Sequence, residues 1–336
     1  MKRAMITGIT SQDGSYLAEH LMSEGYEVWG FVHGEGSLRL RRIRKLLDNV
    51  RLVQGDLLDL RSLLSGIERA QPDEFYNLGA ISHVPTSWQH AELTGEVTGL
   101  GVLRVLEAIR AFSDISDSRT PPGGQIRFYQ ASSSEMFGSA QESPQTEQTP
   151  FRPCSPYGSA KVYGHFLTQL YRQSYGMYAV SGIMFNHGSP RQGTEFLSRK
   201  VSLGVASIKL GREEHLRLGR LSARRDWGFA GDYVRAMHLM LNQEEAEDYV
   251  VGTGVTHSVE ELVSQAFQVA GLDWREHVVC DTSFIRPIEA KNLCAGWAKA
   301  KENLGWQPTV GFDRLIETMV ESDLRLLSQE GYLDQG

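Results

Sequence analysis

Short apolar runs alternate with stripes of apolar residues at helical spacing through the first half of the chain. The runs fall at residues 3–8, Glu27–Val32, Val50–Gln54, Glu74–Leu78, Ile126–Ala131 and Ala179–Asn186, each of a length that suits a buried strand. Between them, Tyr16, Leu17, Leu21 and Met22 predict a helix over 13–24, and Leu57, Leu60, Leu63, Leu64 and Ile67 predict a second. Further helices are expected around Gly99–Phe112 and from Pro156 to Tyr175. Strands alternating with amphipathic helices imply β-α-β units with right-handed crossovers, and so a parallel sheet covered on both faces. Beyond residue 187 the rhythm changes to Arg-rich loops, short strands and scattered helices, with Pro287 and Pro308 near the end. The expected class is α/β, a doubly wound parallel sheet followed by a smaller C-terminal α/β region that binds substrate.

The first strand runs into Gly8-Ile9-Thr10-Ser11-Gln12-Asp13-Gly14, at the opening of a helix. In that position a bare backbone and a helix N-terminus face a pyrophosphate, which makes this the turn of a Rossmann dinucleotide site rather than a plain tight turn. Asp56, after the third strand, suits two roles, an acceptor for an adenine amino group or a helix N-cap for the leucine stripe that follows. An acidic residue ending the second strand favours NAD, and basic groups favour the 2′-phosphate of NADP. Here that stretch reads Val32-His33-Gly34-Glu35-Gly36-Ser37 with Arg39 beyond, a mixed signal.

Charge and composition narrow the function classes. The formal net charge of -7 argues against a general attraction to nucleic acid. The basic cluster Arg39, Arg41, Arg42, Arg44 and Lys45 therefore needs a local reason, and a solvated helix face competes with a functional one. Cys154, Cys280 and Cys294 have neither paired nor metal-ligand spacing, so reduced thiols and no metal site are expected. No apolar run approaches the roughly 18 residues of a membrane span, and no leader pattern opens the chain, so the expectation is a cytoplasmic protein without a membrane partner.

The chemistry concentrates in Tyr157-Gly158-Ser159-Ala160-Lys161, where i, i+4 spacing puts a phenol and an ammonium on one helix face. An adjacent positive charge is expected to lower the phenol's pKa from about 10 and make it a usable base. Alone, such a pair reads as ordinary helix surface. It follows Gln130-Ala131-Ser132-Ser133-Ser134-Glu135, at the carboxyl end of a strand where such sheets bind ligands. Ser133 is placed to hydrogen-bond a substrate hydroxyl, and Glu135 to move a proton between a carbon and a leaving hydroxyl.

These residues resemble the GDP-mannose 4,6-dehydratase family, within the extended short-chain dehydrogenases/reductases. The likeness rests on Gly8–Leu17, Gln130–Gly138, Ser155–Lys161, Phe185-Asn186-His187, Arg199-Lys200, Leu216–Gly219, Arg224-Arg225-Asp226-Trp227-Gly228 and Arg286-Pro287, which span most of the chain. The resemblance implies catalysis by Ser133, Glu135, Tyr157 and Lys161 in a cycle without net redox change. The sugar is oxidised at C4, water is lost across C5 and C6, and hydride returns to C6. It implies NADP, with NAD left open, held by Gly8, Thr10, Ser11, Gln12, Asp13, Gly14, Ser37, Asp56, Leu57, Leu78, Ala80, Tyr157 and Lys161. It also implies a GDP-sugar held by Ser133, Asn186, Lys200, Arg217, Arg225 and Arg286, and a homodimer or homotetramer. The corresponding division is a dinucleotide-binding domain at 1–186 with the catalytic residues, and a mainly nucleotide-sugar-binding domain at 187–336 with some segments returning to the first.

The chain departs from the family pattern at several points. Ser11 stands for the middle glycine of the turn, Ser133 for a threonine, His33-Gly34 for two arginines, Gly188 for a glutamate and Lys291 for an aspartate. An epimerase or 4-keto reductase would share the turn and the Tyr157/Lys161 pair, but needs no Glu135. A non-catalytic dinucleotide-binding regulator would need none of the four catalytic residues.

Overall fold

The computed structural model describes residues 1–34, 38–115, 125–284, 288, 290 and 292–333. Twelve strands run in chain order: β1 (Arg3–Thr7), β2 (Glu27–Val32), β3 (Val50–Gln54), β4 (Glu74–Asn77), β5 (Arg127–Ser133), β6 (Ala179–Met184), β7 (Asn186–Gly188), β8 (Leu216–Leu218), β9 (Arg224–Phe229), β10 (Tyr249–Val251), β11 (Thr256–Ser258) and β12 (Val278–Cys280). The helices are α1 (Gln12–Ser23), α2 (Leu60–Ala70), α3 (Val84–Gln89), α4 (Ala91–Thr94), α5 (Gly101–Ile115), α6 (Pro156–Tyr175), α7 (Leu197–Lys209), α8 (Ala230–Leu241), α9 (Val259–Ala270), α10 (Trp274–His277), α11 (Ala298–Leu304) and α12 (Phe312–Leu333).

Seven strands form one parallel sheet in the order β10-β6-β5-β4-β1-β2-β3. This is the doubly wound Rossmann sheet. The strand period of two divides its side chains between two cores. Ala4, Ile6, Tyr76 and Tyr129 pack with Leu17 and Leu21 of α1 and with Tyr233 and Met237 of α8. Met5, Phe75 and Phe128 pack on the other face with Leu63 of α2 and with Val105 and Ile109 of α5. The order reverses between β1 and β4, and the ends of these two strands frame the crevice where such sheets bind ligands.

The second half of the chain builds a third core from Val201 and Val205 of α7, Leu262 and Phe267 of α9, and Met319 and Val320 of α12. Two small sheets accompany it, β11-β9-β7 and β12-β8. The chain also re-enters the large sheet, where β10 pairs in parallel with β6 along Tyr249↔Gly182 to Val251↔Met184. Among the described residues no helix is long and apolar enough to cross a membrane.

Candidate active site

Gly8 leaves β1 with φ +70°, and a Cβ on Gly14 would lie 2.2 Å from the Gly8 carbonyl oxygen, so the turn closes only with glycine at that point. Ser11 caps α1: its hydroxyl accepts from the Gly14 N–H at 3.0 Å. The serine that stands in the turn's middle glycine position thus turns its polar atom back into the helix end. Gly8 also packs against the loop after β4, a Cβ there lying 3.0 Å from the Gly79 nitrogen. This brings the turn beside Leu78 and Ala80. Leu57 closes the same corner, with its Cδ1 beside Gly79. Thr10 offers its carbonyl to Arg42 Nη1 at 3.3 Å, and Arg42 Nε donates to the Arg191 carbonyl at 2.7 Å.

Asp13 and Gln12 face β7. Asp13 Oδ2 lies 2.9 Å from His187 Nε2, while His187 Nδ1 donates to the Phe185 carbonyl at 2.7 Å. Burial opposes the charged ring, but the Asp13 carboxylate outweighs it and the His187 pKa is raised. Asp13 is correspondingly lowered, burial again opposing and His187 prevailing. Gln12 Oε1 accepts from the Ser189 hydroxyl at 2.8 Å. His187 belongs to the Phe185-Asn186-His187 stretch of the family likeness, but nothing local points to its pairing, since its partner is 174 positions away.

One expectation is corrected here. The cap of α2 is Asp59, whose side chain accepts from the Arg61 N–H, because the helix begins only at Leu60. Asp56 instead accepts from the Leu58 N–H at 2.9 Å and sets Oδ2 3.1 Å from His33 Nδ1. Ser37 lies outside the described residues, as do the side chains of Arg39 and Arg41.

At the carboxyl end of β5, Ser133 caps the short turn Ser134–Met136, accepting from the Glu135 N–H at 3.3 Å. Its hydroxyl also lies close enough to the Tyr157 phenol to lower that group's pKa. Ser155 caps α6 and presents Tyr157 in the first turn, with Pro156 preset for the N1 position. Lys161, one turn on and buried, donates to the Ala131 carbonyl at 2.6 Å and sits 5.7 Å from the Tyr157 ring centre. The expected lowering of the phenol is reversed. Burial raises the Tyr157 pKa, the Ser133 hydrogen bond pulls it down, and the Glu135 and Asp13 carboxylates push it further up. Burial drives Lys161 down to about 8, with Asp13 opposing, so the ammonium itself is weakened. The i, i+4 spacing reports adjacency on the helix but not the desolvation of both groups.

The residues expected to hold a nucleotide sugar lie farther along. Asn186 opens β7 and pairs with Trp227 of β9, its carbonyl accepting from Tyr233 Oη at 3.4 Å. Arg225 is buried on β9 and its Nη1 donates to the Arg224 carbonyl. Its neighbour Asp226 accepts from the Thr253 N–H and hydroxyl, the Gly254 N–H and the Ala295 N–H at 2.6–3.1 Å. Lys200 Nζ lies 3.6 Å over the Phe284 ring, and burial lowers its pKa against the pull of Asp281. Arg217 reaches Asp281 at 3.9 Å. Beside these residues opens a cavity of about 270 Å³ lined by Gly219, Arg220, Leu221, Cys280, Asp281 and Thr282. Arg286 and Lys291 lie outside the described residues. At Gly188, a Cβ would meet Ser198 Oγ at 3.2 Å and Gln192 Oε1 at 3.6 Å, so the space next to this glycine is filled by the Ser198–Gln192 hydrogen bond. Among the described residues no group of three or more His, Cys, Asp or Glu side chains is placed to hold a metal ion.

A family model for GDP-mannose 4,6 dehydratase matches residues 5–319. The chain is 45% identical to GDP-mannose 4,6 dehydratase 1 of Arabidopsis thaliana, over 99% of this chain and 94% of the relative. Among solved structures it resembles a UDP-glucose 4-epimerase of Thermus thermophilus in complex with NAD, with a TM-score of 0.81 at 26% identity over 96% of this chain and 98% of that one. It also resembles RMD from Pseudomonas aeruginosa complexed with NADPH, with a TM-score of 0.78 at 21% identity over 97% and 100% of the two chains.

Proposed function

The chain belongs to the GDP-mannose 4,6-dehydratase family, and we propose that Ser133, Glu135, Tyr157 and Lys161 carry out the family's reaction on GDP-mannose. It is a nucleotide-sugar 4,6-dehydratase, a hydro-lyase. The observation that carries the assignment of residues is the meeting of three groups at one strand end. The Ser133 hydroxyl and the Glu135 carboxylate both lie near enough to the Tyr157 phenol to act on its pKa, Ser133 lowering it and Glu135 raising it.

In this reading Ser133 and Tyr157 grip the sugar's 4-hydroxyl, and Tyr157 takes its proton as C4 becomes a ketone. A nicotinamide dinucleotide held by the turn after β1, with Tyr157 and Lys161 at its nicotinamide end, would supply the hydride acceptor for C4 and the hydride donor for C6, and its oxidised ring would add the positive charge that a buried phenol needs in order to ionise. The new carbonyl acidifies C5–H. Glu135 removes that proton and delivers it to the departing 6-hydroxyl, which leaves as water. C5 is reprotonated from Tyr157, so the proton taken from O4 stays in the product and the net change is the loss of one water.

NADP is the dinucleotide proposed. The described residues that end β2 (Val32, His33 and Gly34) carry no carboxylate to bind a free ribose 2′-hydroxyl, and the Arg42 guanidinium lies against the Thr10 carbonyl in the turn. Gly8, Thr10, Ser11, Gln12, Asp13, Gly14, Asp56, Leu57, Leu78 and Ala80 would hold it, with Tyr157 and Lys161 at the nicotinamide end. Asn186, Lys200, Arg217 and Arg225 would hold the GDP moiety, whose diphosphate suits guanidinium forks. The large region 1–186 would carry cofactor and catalysis, and 187–336 mainly the nucleotide sugar. The exposed stripe Tyr163, Phe166 and Leu170 along α6 fits a second copy of the chain, an assembly that sedimentation velocity reads. Free Cys154, Cys280 and Cys294 suit a reducing cytoplasm.

The test is incubation with GDP-mannose and catalytic NADP or NAD, followed by mass spectrometry for a product lighter by one water. Glu135→Gln should lower water loss by about 10²–10⁴-fold while the cofactor is still reduced by the sugar. Water loss at the wild-type rate in that variant would refute the role given to Glu135. Absence of the product with the wild type would refute GDP-mannose as substrate.

A further inference from the structure

Behind the catalytic strand end runs a hydrogen-bond chain that the reaction steps leave unused. β5 pairs with β4 only as far as Asn77↔Gln130, while its pairing with β6 continues to Ser133↔Met184. Ala131–Ser133 therefore project past β4, and the ladder holds them on one side. Helix α6 supplies further holds from successive turns. Tyr157 lies beside Ser133, Lys161 bonds the Ala131 carbonyl at 2.6 Å, and His165 lies 3.0 Å from the Ser132 hydroxyl through Nδ1.

The direction of the last bond follows from its surroundings. Arg172 forks onto Asp248 at 3.0 and 2.9 Å, and the Ser181 N–H donates to the same carboxylate at 2.9 Å. Gln169 Nε2 lies 2.8 Å from Asp248 Oδ2 and 3.0 Å from His165 Nε2. A carboxylate only accepts, so the amide NH₂ of Gln169 must face it, and the same NH₂ then donates to His165. His165 Nε2 is an acceptor, the ring's proton sits on Nδ1, and Nδ1–H donates to Ser132 Oγ. The ring is buried, which favours its neutral form.

We propose that His165 is a positioning residue for the dehydratase reaction, holding the projecting end of β5 so that Ser133 and Glu135 meet the sugar in register. Arg172, Asp248 and Gln169 set the tautomer that lets it do so. The inference rests on the roles given above to Ser133 and Glu135. Lys161, placed at the nicotinamide end, would share its ammonium with a bound cofactor, whereas the bonds of His165 stay within the protein.

Three substitutions separate this role from mere filling of space. His165→Asn keeps an amide nitrogen near the Nδ1 position, His165→Gln keeps polarity near Nε2 only, and His165→Leu keeps neither. The Leu and Gln variants should lose about tenfold in kcat with KM for GDP-mannose nearly unchanged, while Asn stays within about threefold of wild type. Ser132→Ala, which removes the acceptor with little change in volume, should match His165→Leu, and the double variant should be no slower than either single one. This variant also carries the test if His165→Leu fails to fold. Amide exchange of residues 131–134 should quicken in Leu and Gln but not in Asn, a readout independent of which sugar is turned over. Quickened exchange in a protein inert on GDP-mannose would support the hold while removing the substrate assignment. Wild-type kcat and exchange in Ser132→Ala, or an Asn variant as impaired as Leu, would overturn it.

Discussion

Burial sets the charge on two groups of α6, the Tyr157 phenol that moves a proton in the reaction and the Lys161 ammonium beside it. The Tyr157 phenol is held protonated, and the Lys161 ammonium is pushed down to about 8 from an unfolded value near 10.4. Below pH 8 both folded and unfolded chains carry the lysine proton, and the fold bears the full cost of a buried ammonium, about 3 kcal/mol. Between pH 8 and about 10.4 the unfolded chain binds a proton that the folded one has released, so this contribution makes stability rise with pH. A Lys161→Met variant has no such group. Its unfolding free energy relative to wild type should therefore fall by about 3 kcal/mol between pH 7.5 and 10.5. Urea unfolding at a series of pH values reads this, and a gap constant with pH would show that Lys161 is not desolvated as described.

At the scale of elements, one carboxylate of β9 ties that strand to two segments outside its sheet. Asp226 accepts from the 253–254 loop and from Ala295, while Gln145 binds the same segment through the Cys294 N–H at 2.9 Å and the Asn292 carbonyl at 3.2 Å. Burial raises the Asp226 pKa although Thr253, Gly254 and Ala295 all donate to it. Asp226→Asn would set an NH₂ against donor N–H groups and should cost about 2–3 kcal/mol in thermal or urea unfolding. It should also weaken GDP-sugar binding, because residues 292–295 adjoin the segment that bears Arg286. An unchanged melting temperature would refute the clamp. How far such elements can be read from sequence depends on the range of the interaction that makes them. β2 and β3 occur at the residues their apolar runs predict, since a run is a local signal. The helix expected at Gly99–Phe112 begins at Gly101, because Gly95–Leu100 winds as a π-helical segment whose Thr98 hydroxyl caps the Ile81 N–H. β7, β8, β10, β11 and β12 are three-residue strands, too short for any periodicity, and partners distant in sequence determine them. The same holds in the site. Tyr157, Lys161 and Ser133 announce themselves by spacing, whereas His165 and His187 acquire meaning only from Asp248 and Asp13 across the fold.

For the whole molecule, the Asp13–His187 pair joins the cofactor turn of the large sheet to the strand that begins the second region. The pH dependence has two limits. His187 titrates above its usual value, so its contribution is full below an unfolded pKa near 6.5 and is lost as pH rises through the folded one. Asp13 titrates below its usual value, so its contribution is present above an unfolded pKa near 3.9 and is lost as pH falls through the folded one. Between those limits the pair holds the turn and β7 together, with Gln12 and Ser189 bonded alongside. Asp13→Asn leaves the ring buried but removes the charge that overcame burial. The His187 imidazole should then titrate below about 6.5 rather than above it, which an NMR titration of its Cε1 proton reads directly. The variant should also lose the wild type's fall in stability that accompanies release of the His187 proton as pH rises through its raised pKa. A His187 resonance that keeps its raised pKa in Asp13→Asn would mean that another group holds the ring's charge and that the two regions are coupled elsewhere.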